Sequence, residues 1–320
     1  MRMRASILVV NYHSEEDILA AAKVLIPLKE SFEIIVIDNS LTFSEVPESL
    51  DDFMSVFPNP EGNSGFGRGM NYASERARAP LLCLLNPDVE MISPEILTTL
   101  VERLESSPPD VGSVGCQMHY SDGKAHPTAI LSEAPGVLEF LKQQIRNSMP
   151  SRLRNTEECR KGVMIKSNDE NNEKTVVGFY AAFVVVRTEA FRSVGGFDPD
   201  FFMYCEDTEF FRCRFSKNWR SVFYPDISVC HPTRKSDVHR LMEKQNMVSY
   251  LLYLRKISIM HLFVYSAIQI PRSIILLMFE SRRKHGAKLL VSFSYLPQIF
   301  ARGSQGSLRR PPLKIREIPD

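Results

Sequence analysis

The stretch Leu81-Leu82-Cys83-Leu84-Leu85, ended at once by Asn86-Pro87-Asp88, constrains the fold of this chain more than any other. A short apolar run bounded by turn residues marks a strand buried on both faces, and such strands belong to sheets covered by helices. Pro87 has no N–H to give to a ladder, so the strand is expected to stop near Asn86. The Asp88 carboxylate then stands beyond the strand's C-terminal end, the edge where open α/β sheets bind ligands. There a carboxylate can share Mg²⁺ or Mn²⁺ with substrate phosphates, although on its own it is equally a turn residue.

The residues before it repeat the pattern. Ala5–Tyr12 and Phe32–Ile37 read as buried strands, closed by Asn11-Tyr12-His13 and Asp38-Asn39-Ser40. Ser14 is expected to cap a helix over 15–28, with Asp17 as the acid of a capping box. A short helix and a weaker strand, Phe53–Phe57, come next. Asn63-Ser64-Gly65-Phe66-Gly67-Arg68-Gly69-Met70-Asn71 then turns into a helix reaching about Arg78. Glycines at a helix start let an anion approach the backbone, although a tight turn explains them too. After the strand 81–85, Ser93 caps a helix that Pro94 opens. This alternation predicts an α/β fold with a mixed, mostly parallel sheet.

Residues 121–174 are polar and irregular, with one helical stretch near 136–147, and read as an insertion over the sheet edge. Val176–Arg187 is expected as one apolar strand, followed by a short helix that Thr188 caps. Gly195-Gly196-Phe197-Asp198 leads through Pro199–Tyr204 to a helix opened by Glu206-Asp207 and reaching about Lys217. Phe210, Phe211 and Phe215 form its buried face. A last strand, Ser221–Cys230, delivers His231.

Beyond 236 the chain reads as helical and apolar. Ile259–Phe279 has the length of a membrane span, but His261, Gln269, Pro271 and Arg272 interrupt it. Residues 231–320 carry 16 Lys and Arg against 5 Asp and Glu, a balance of +11 that leaves −10 before them. A basic, apolar end fits amphipathic helices lying on an anionic membrane surface. The competing expectation is a helical subdomain packed on the core, or a homo-oligomer interface. With a net charge of +1 the whole-chain balance implies no nucleic-acid partner. Six cysteines (Cys83, Cys116, Cys159, Cys205, Cys213, Cys230) show no C-x-x-C spacing, and a reduced cytoplasmic setting is expected. The first strand begins within a few residues of Met1, leaving no room for a signal peptide.

Asp38, Asp88, Glu206 and Asp207 thus all stand at strand or turn ends, with a glycine-rich helix start and a histidine after the last strand. The ordered set resembles the inverting glycosyltransferases of family 2, closest to their rhamnosyltransferase-like branch. The strings that carry it are Val9-Val10-Asn11-Tyr12, Ile35-Val36-Ile37-Asp38-Asn39-Ser40, Asn63-Ser64-Gly65-Phe66-Gly67, Leu85-Asn86-Pro87-Asp88 and Gly195-Gly196-Phe197-Asp198, continuing to Glu206-Asp207. The resemblance implies a GT-A domain over 1–235 and a C-terminal helical region over 236–320. It implies nucleotide contacts from Asn11, Asp38, Asn63, Gly65, Arg68 and Asn71, and a metal held by Asp88 with His231. Asn86 stands where the family's Asp-x-Asp has its first acid, so fewer carboxylates would hold that ion. Asp207 matches the catalytic base, with Glu206 as an orienting neighbour, while Arg234 and Lys235 would close over the diphosphate.

The implied activity is transfer of a sugar, rhamnose by resemblance only, from a dTDP- or UDP-sugar. The acceptor would be a glycan or lipid-linked glycan at the inner face of the cytoplasmic membrane, in surface polysaccharide synthesis. A sugar-phosphate nucleotidyltransferase shares a related architecture, but Asn11-Tyr12-His13-Ser14 stands where its glycine-rich, cation-bearing signature would follow the first strand. A non-catalytic nucleotide- or glycan-binding relative is the third reading, and retention of both Asp88 and Asp207 argues against it.

Overall fold

The computed structural model describes residues 2–43, 45–148, 173–232, 239–279, 282–302 and 312–314. β1 (Ala5–Asn11), β2 (Phe32–Asp38), β3 (Met54–Pro58) and β4 (Leu81–Leu85) pair in parallel. β1, β2 and β4 are buried along their whole length, as their apolar runs require. α1 (Glu15–Leu25), α2 (Phe66–Arg76) and α3 (Pro94–Ser106) connect them or follow them. Ser93 caps α3 by accepting from the Ile96 N–H, with Pro94 at the first position. Ser14 makes no such bond at α1. Its own N–H goes to the Asn11 Oδ1 and its hydroxyl to the Tyr12 carbonyl, so the expected capping box is absent.

β5 (Val111–His119), which the sequence reading passed over, carries the short β6 (Ala125–His126). β7 (Ala129–Ile130) and α4 (Val137–Ser148) follow. The single strand expected over 176–187 is three: β8 (Lys174–Val176), β9 (Gly178–Phe179) and β10 (Phe183–Arg187). They diverge because β8 joins the edge of the sheet, β9 pairs with β7, and β10 inserts antiparallel between β4 and β5. Gly178 permits the change of direction: a Cβ there would lie 2.1 Å from the Phe211 ring. α5 (Thr188–Ser193), α6 (Glu206–Glu209) and β11 (Arg220–Cys230) complete the sheet, in the order β3-β2-β1-β4-β10-β5-β11-β8. Thr188 is the first residue of α5 rather than its cap, and its hydroxyl donates to the Ala79 carbonyl.

Three further helices, α7 (His239–Ile257), α8 (Ile259–Phe279) and α9 (Arg282–Ala301), pack on α4 and on one another around Phe140, Leu251, Leu252, Leu262 and Ile299. They are locked to the sheet domain by buried charge. Lys256 on α7 reaches Asp198 at 2.7 Å and Asp200 at 2.9 Å, and Arg302 also pairs with Asp200. Residue 313 returns to the same place, its N–H donating to the Asp200 carbonyl at 2.9 Å. No helix among the described residues is long and apolar enough to cross a membrane. Removing one member of a buried ion cluster strands the others, so Asp200→Ala is expected to cost about 3–5 kcal/mol. Denaturant unfolding would measure it, and a loss below about 1 kcal/mol would show that the cluster does not hold the helices.

Candidate active site

The C-terminal ends of β1, β2 and β4 open into a cavity of about 770 Å³. Asn11 and Asp38 stand at its base but are buried, at 0% and 3% exposure. Asn11 Nδ2 donates to Asp38 Oδ1 at 2.8 Å, and Asp38 also accepts from the Ser40 hydroxyl and from the N–H groups of Ser40 and Phe43. Burial alone would raise the Asp38 pKa. Those hydrogen bonds outweigh it and hold the carboxyl below its ordinary value. The pair therefore shapes the 38–43 turn, while Val10, Tyr12, Ser14 and Asn39 face the cavity.

The glycine-rich turn is built by asparagines. Asn59 Nδ2 donates to Asn39 Oδ1 and Ser64 Oγ, Asn39 Nδ2 to the Gly65 carbonyl, and the Gly65 N–H to Asn63 Oδ1. Gly65 has φ +89°, and a Cβ on it would meet the Phe202 carbonyl oxygen at 1.8 Å. That carbonyl accepts the Phe66 N–H at 3.0 Å. The helix start expected to cradle an anion is thus occupied by the protein's own backbone. Two further expectations are corrected for a similar reason. Arg68 is buried, donating to the Pro199 carbonyl and pairing with Glu61 at 2.7 Å, and Asn71 clasps the Phe197 N–H and carbonyl. Both staple α2 to the 195–199 turn, and neither lines the cavity. Of the residues expected at the nucleotide, Asn63 lines it.

Across the cavity, Tyr204 and Cys205 take left-handed backbone, φ 69° and 64°, and turn the chain sharply into α6. Such strain gathers at functional sites. It delivers Glu206 and Asp207 side by side with different surroundings. Asp207 Oδ2 accepts from the Ala181 N–H at 3.1 Å, and Oδ1 accepts from the Thr208 N–H and hydroxyl. Glu206 Oε2 is buried with no partner, beneath the first turn of α2. Burial, reinforced by the Asp207 charge, pushes Glu206 up to about 8. Burial raises Asp207 too, against three donors that favour its ionised form. Of the two acids, Asp207 is the one whose ionised form has hydrogen-bond donors, and Glu206, without any to its Oε2, is held further toward its protonated form.

At the third wall, Glu90 and Cys230 bridge antiparallel and draw the Asp88 turn against the end of β11. His231 Nε2 comes within 3.3 Å of Asp88 Oδ1. Its Nδ1 lies 3.4 Å from His126 Nε2, and His126 Nδ1 lies 2.8 Å from the Pro127 carbonyl. The carbonyl fixes His126 as the donor there, and burial keeps that ring neutral. His126 Nε2 must then accept from the His231 Nδ1–H. With Nδ1 turned to His126, His231 Nε2 is the ring nitrogen that faces the Asp88 carboxylate, and an imidazole nitrogen beside a carboxylate is a pair that can share a cation. Asn86 Oδ1, buried on the same turn, also has no partner. Among the described residues no cluster of three or more His, Cys, Asp or Glu forms, so a metal held here would take its other ligands from substrate or water.

The profile described as Glycosyl transferase family 2 matches residues 6–184, more than half of the chain. The chain belongs to that family. Among curated relatives, an N-acetylglucosaminyl-diphospho-decaprenol L-rhamnosyltransferase of Mycobacterium tuberculosis is 25% identical over 210 residues, covering 62% of this chain and 66% of that protein. The O-antigen biosynthesis protein RfbC of Myxococcus xanthus is 24% identical over 185 residues, 56% of this chain and 13% of that much longer protein. A crystal structure of GalNAc-T7 with UDP, GalNAc and Mn²⁺ superposes with a TM-score of 0.52 at 14% identity, over 92% of this chain and 54% of that one. That likeness establishes the fold: this member of the family has the GT-A architecture, with C-terminal helices added.

Several cavity residues of the glycosyltransferase were not foreseen. His126 comes from β6 within the irregular insertion, where no periodicity marks it. Tyr180 comes from the bend between β9 and β10, and Arg212, Tyr250 and Tyr253 from helices read only for their apolar faces. Lys314 reaches the cavity because Leu313 is anchored by Asp200 and by Gln245 Nε2, and its Nζ lies 5.0 Å from the centre of the Phe202 ring. Arg234 and Lys235, expected over the diphosphate, lie outside the described residues.

Proposed function

We propose that this glycosyltransferase inverts the anomeric centre as it moves a sugar from a nucleotide donor to a lipid-linked glycan acceptor in surface polysaccharide synthesis. The observation that carries the reading is one cavity with Asp207 on one wall and the Asp88–His231 pair on another. Similarity to an O-antigen biosynthesis protein and to an L-rhamnosyltransferase supports the polysaccharide setting and rhamnose as the first donor sugar to test. Asp207 takes the proton of the acceptor hydroxyl as its oxygen bonds to the anomeric carbon. The bond from that carbon to the diphosphate oxygen breaks, and the nucleoside diphosphate leaves. One carboxylate acting in one displacement gives inversion. Asp88 and His231 would hold a divalent ion, Mg²⁺ or Mn²⁺, which offsets charge on the leaving diphosphate. The Ala181 and Thr208 donors keep the base oriented and ionised.

The test is incubation with a panel of dTDP- and UDP-sugars, metal and a lipid-diphosphate sugar. Release of nucleoside diphosphate together with glycan supports transfer. Pyrophosphate release would support a nucleotidyltransferase instead, and binding without turnover a non-catalytic relative.

The acceptor's chemistry also calls for a membrane surface. Ile259, Met260, Phe263, Ile274, Ile275, Phe293 and Phe300 are exposed on α8 and α9, and the sequence over 231–320 is strongly basic. Peripheral attachment follows from apolar insertion combined with attraction to anionic headgroups. The expected result is co-flotation with vesicles containing anionic lipid, weakened by Phe263→Ser/Phe293→Ser and by high salt. Equal recovery without vesicles in the top fraction would exclude it.

A further inference from the structure

The transfer chemistry leaves two cations in the cavity without an assignment, Lys314, which lies over the Phe202 ring, and Arg212. Arg212 stands in the π turn Phe210–Arg214 that continues α6, a local widening that re-aims side chains and recurs at functional sites. Its Nε–H is buried with no hydrogen-bond partner, and Nη1 reaches only the Tyr253 hydroxyl, at 3.4 Å. Glu209, the acid nearest in sequence, is taken by Arg214 in a two-pronged pair at 2.6–3.0 Å. No ion pair among the described residues includes Arg212. A buried donor of this kind is costly to leave unmade, and a ligand that completes it gains accordingly.

The surroundings define the ligand. Tyr180, Tyr250 and Tyr253 border the same part of the cavity and feel the guanidinium charge, and Met203, Leu241 and Met242 add apolar wall. Asp207, whose carboxylate must touch the acceptor hydroxyl, lies five residues earlier. Both line the same cavity, so an acceptor whose hydroxyl meets the carboxylate extends along the wall that carries the guanidinium. The group at Arg212 is then the substituent on the far side of the acceptor sugar. A planar guanidinium fork suits a phosphate, and the apolar wall suits the hydrocarbon attached to it.

We propose that Arg212 binds the diphosphate that joins the acceptor sugar to its lipid carrier. The assignment rests on the transfer reading and names the acceptor's anchoring group. It makes Arg212 a specificity residue: sugars lacking the diphosphate would be poor acceptors because the half-buried guanidinium would meet no counter-charge.

The test uses the full-length protein as wild type, Arg212→Ala and Arg212→Lys, with farnesyl diphosphate, farnesol and glucuronic acid as probes in excess chelator. UDP and dTDP binding with Mn²⁺ is measured in parallel on each protein. The expected result is saturable farnesyl diphosphate binding by wild type, weakened about 10- to 100-fold in Arg212→Ala, with Arg212→Lys between. Farnesol binding should not distinguish the three, and nucleotide affinity should agree within about two-fold, showing that the variants are folded. Equal farnesyl diphosphate binding by all three proteins, or none by a wild type that binds nucleotide, overturns the assignment alone. Dependence of glucuronic acid but not farnesyl diphosphate binding on Arg212 overturns the lipid diphosphate in favour of an acidic sugar. A wild type that binds neither UDP nor dTDP overturns the transfer reading and this assignment with it.

Discussion

Asp207→Asn is expected to lower the transfer rate by about 10²–10⁴ while leaving nucleoside diphosphate affinity within a few-fold of wild type. The amide keeps the size of the carboxylate but has no lone pair basic enough to take the acceptor's proton. Donor binding survives because Asn39, Asn63 and the Asp88–His231 pair lie on other walls of the cavity. Glu206→Gln should be much milder, since a side chain already protonated at neutral pH loses little by becoming an amide. The pH profile follows from the same geometry. Burial raises the Asp207 carboxyl, so the rate should rise with pH as that group ionises, and this acid limb should vanish in Asp207→Asn. An Asp207→Asn enzyme within a few-fold of wild-type rate would move the base elsewhere, with Glu206 next in line.

Asp88→Ala is expected to remove most turnover, on the order of 10²-fold or more, and to abolish the dependence of nucleotide binding on added metal. The fold should be unchanged, because Asp88 sits on a turn held by the Glu90–Cys230 bridge. His231→Ala should raise the metal concentration needed for half-maximal rate, and His126→Phe should do the same more weakly, since His126 fixes which His231 nitrogen faces Asp88. Titration of rate and nucleotide affinity against Mn²⁺ reads all three. Full activity of wild type in excess chelator would end the metal proposal.

What the sequence disclosed follows the reach of its signals. β4, the Ser93 cap and the buried face of Phe210, Phe211 and Phe215 are set within a few residues, and each stands where the reading placed it. The 176–187 segment reads as one strand because its apolar run is continuous. Three different pairing partners and the Phe211 ring against Gly178 divide it, and none of those is near in sequence. Arg68 and Asn71 had the right residue types for a phosphate site. Only the packing of the 195–199 turn against α2 shows that their polar atoms are consumed. The Glu206-Asp207 pair was legible as a motif, and the resemblance assigned its two roles, but the surroundings that distinguish the two acids were not legible. They depend on Ala181, brought in from a bend between two other strands.

The buried cluster at Asp200 has a consequence for the order in which this enzyme comes into being. The strands that carry Asn39, Asn63 and Asp88 are made early, but the Gly65 turn waits for Phe202 and the Asp88 turn for Cys230 and His231. Tyr250, Tyr253 and Lys314 come last, and they reach the cavity only when Lys256, Arg302 and Leu313 have found the Asp198–Asp200 turn. The cavity is therefore closed last, by the helices that follow residue 239. The same hierarchy run backwards means that loosening of the C-terminal helices takes Tyr250, Tyr253 and Lys314 from the cavity first, with the walls at Asn39, Asn63 and Asp88 still standing.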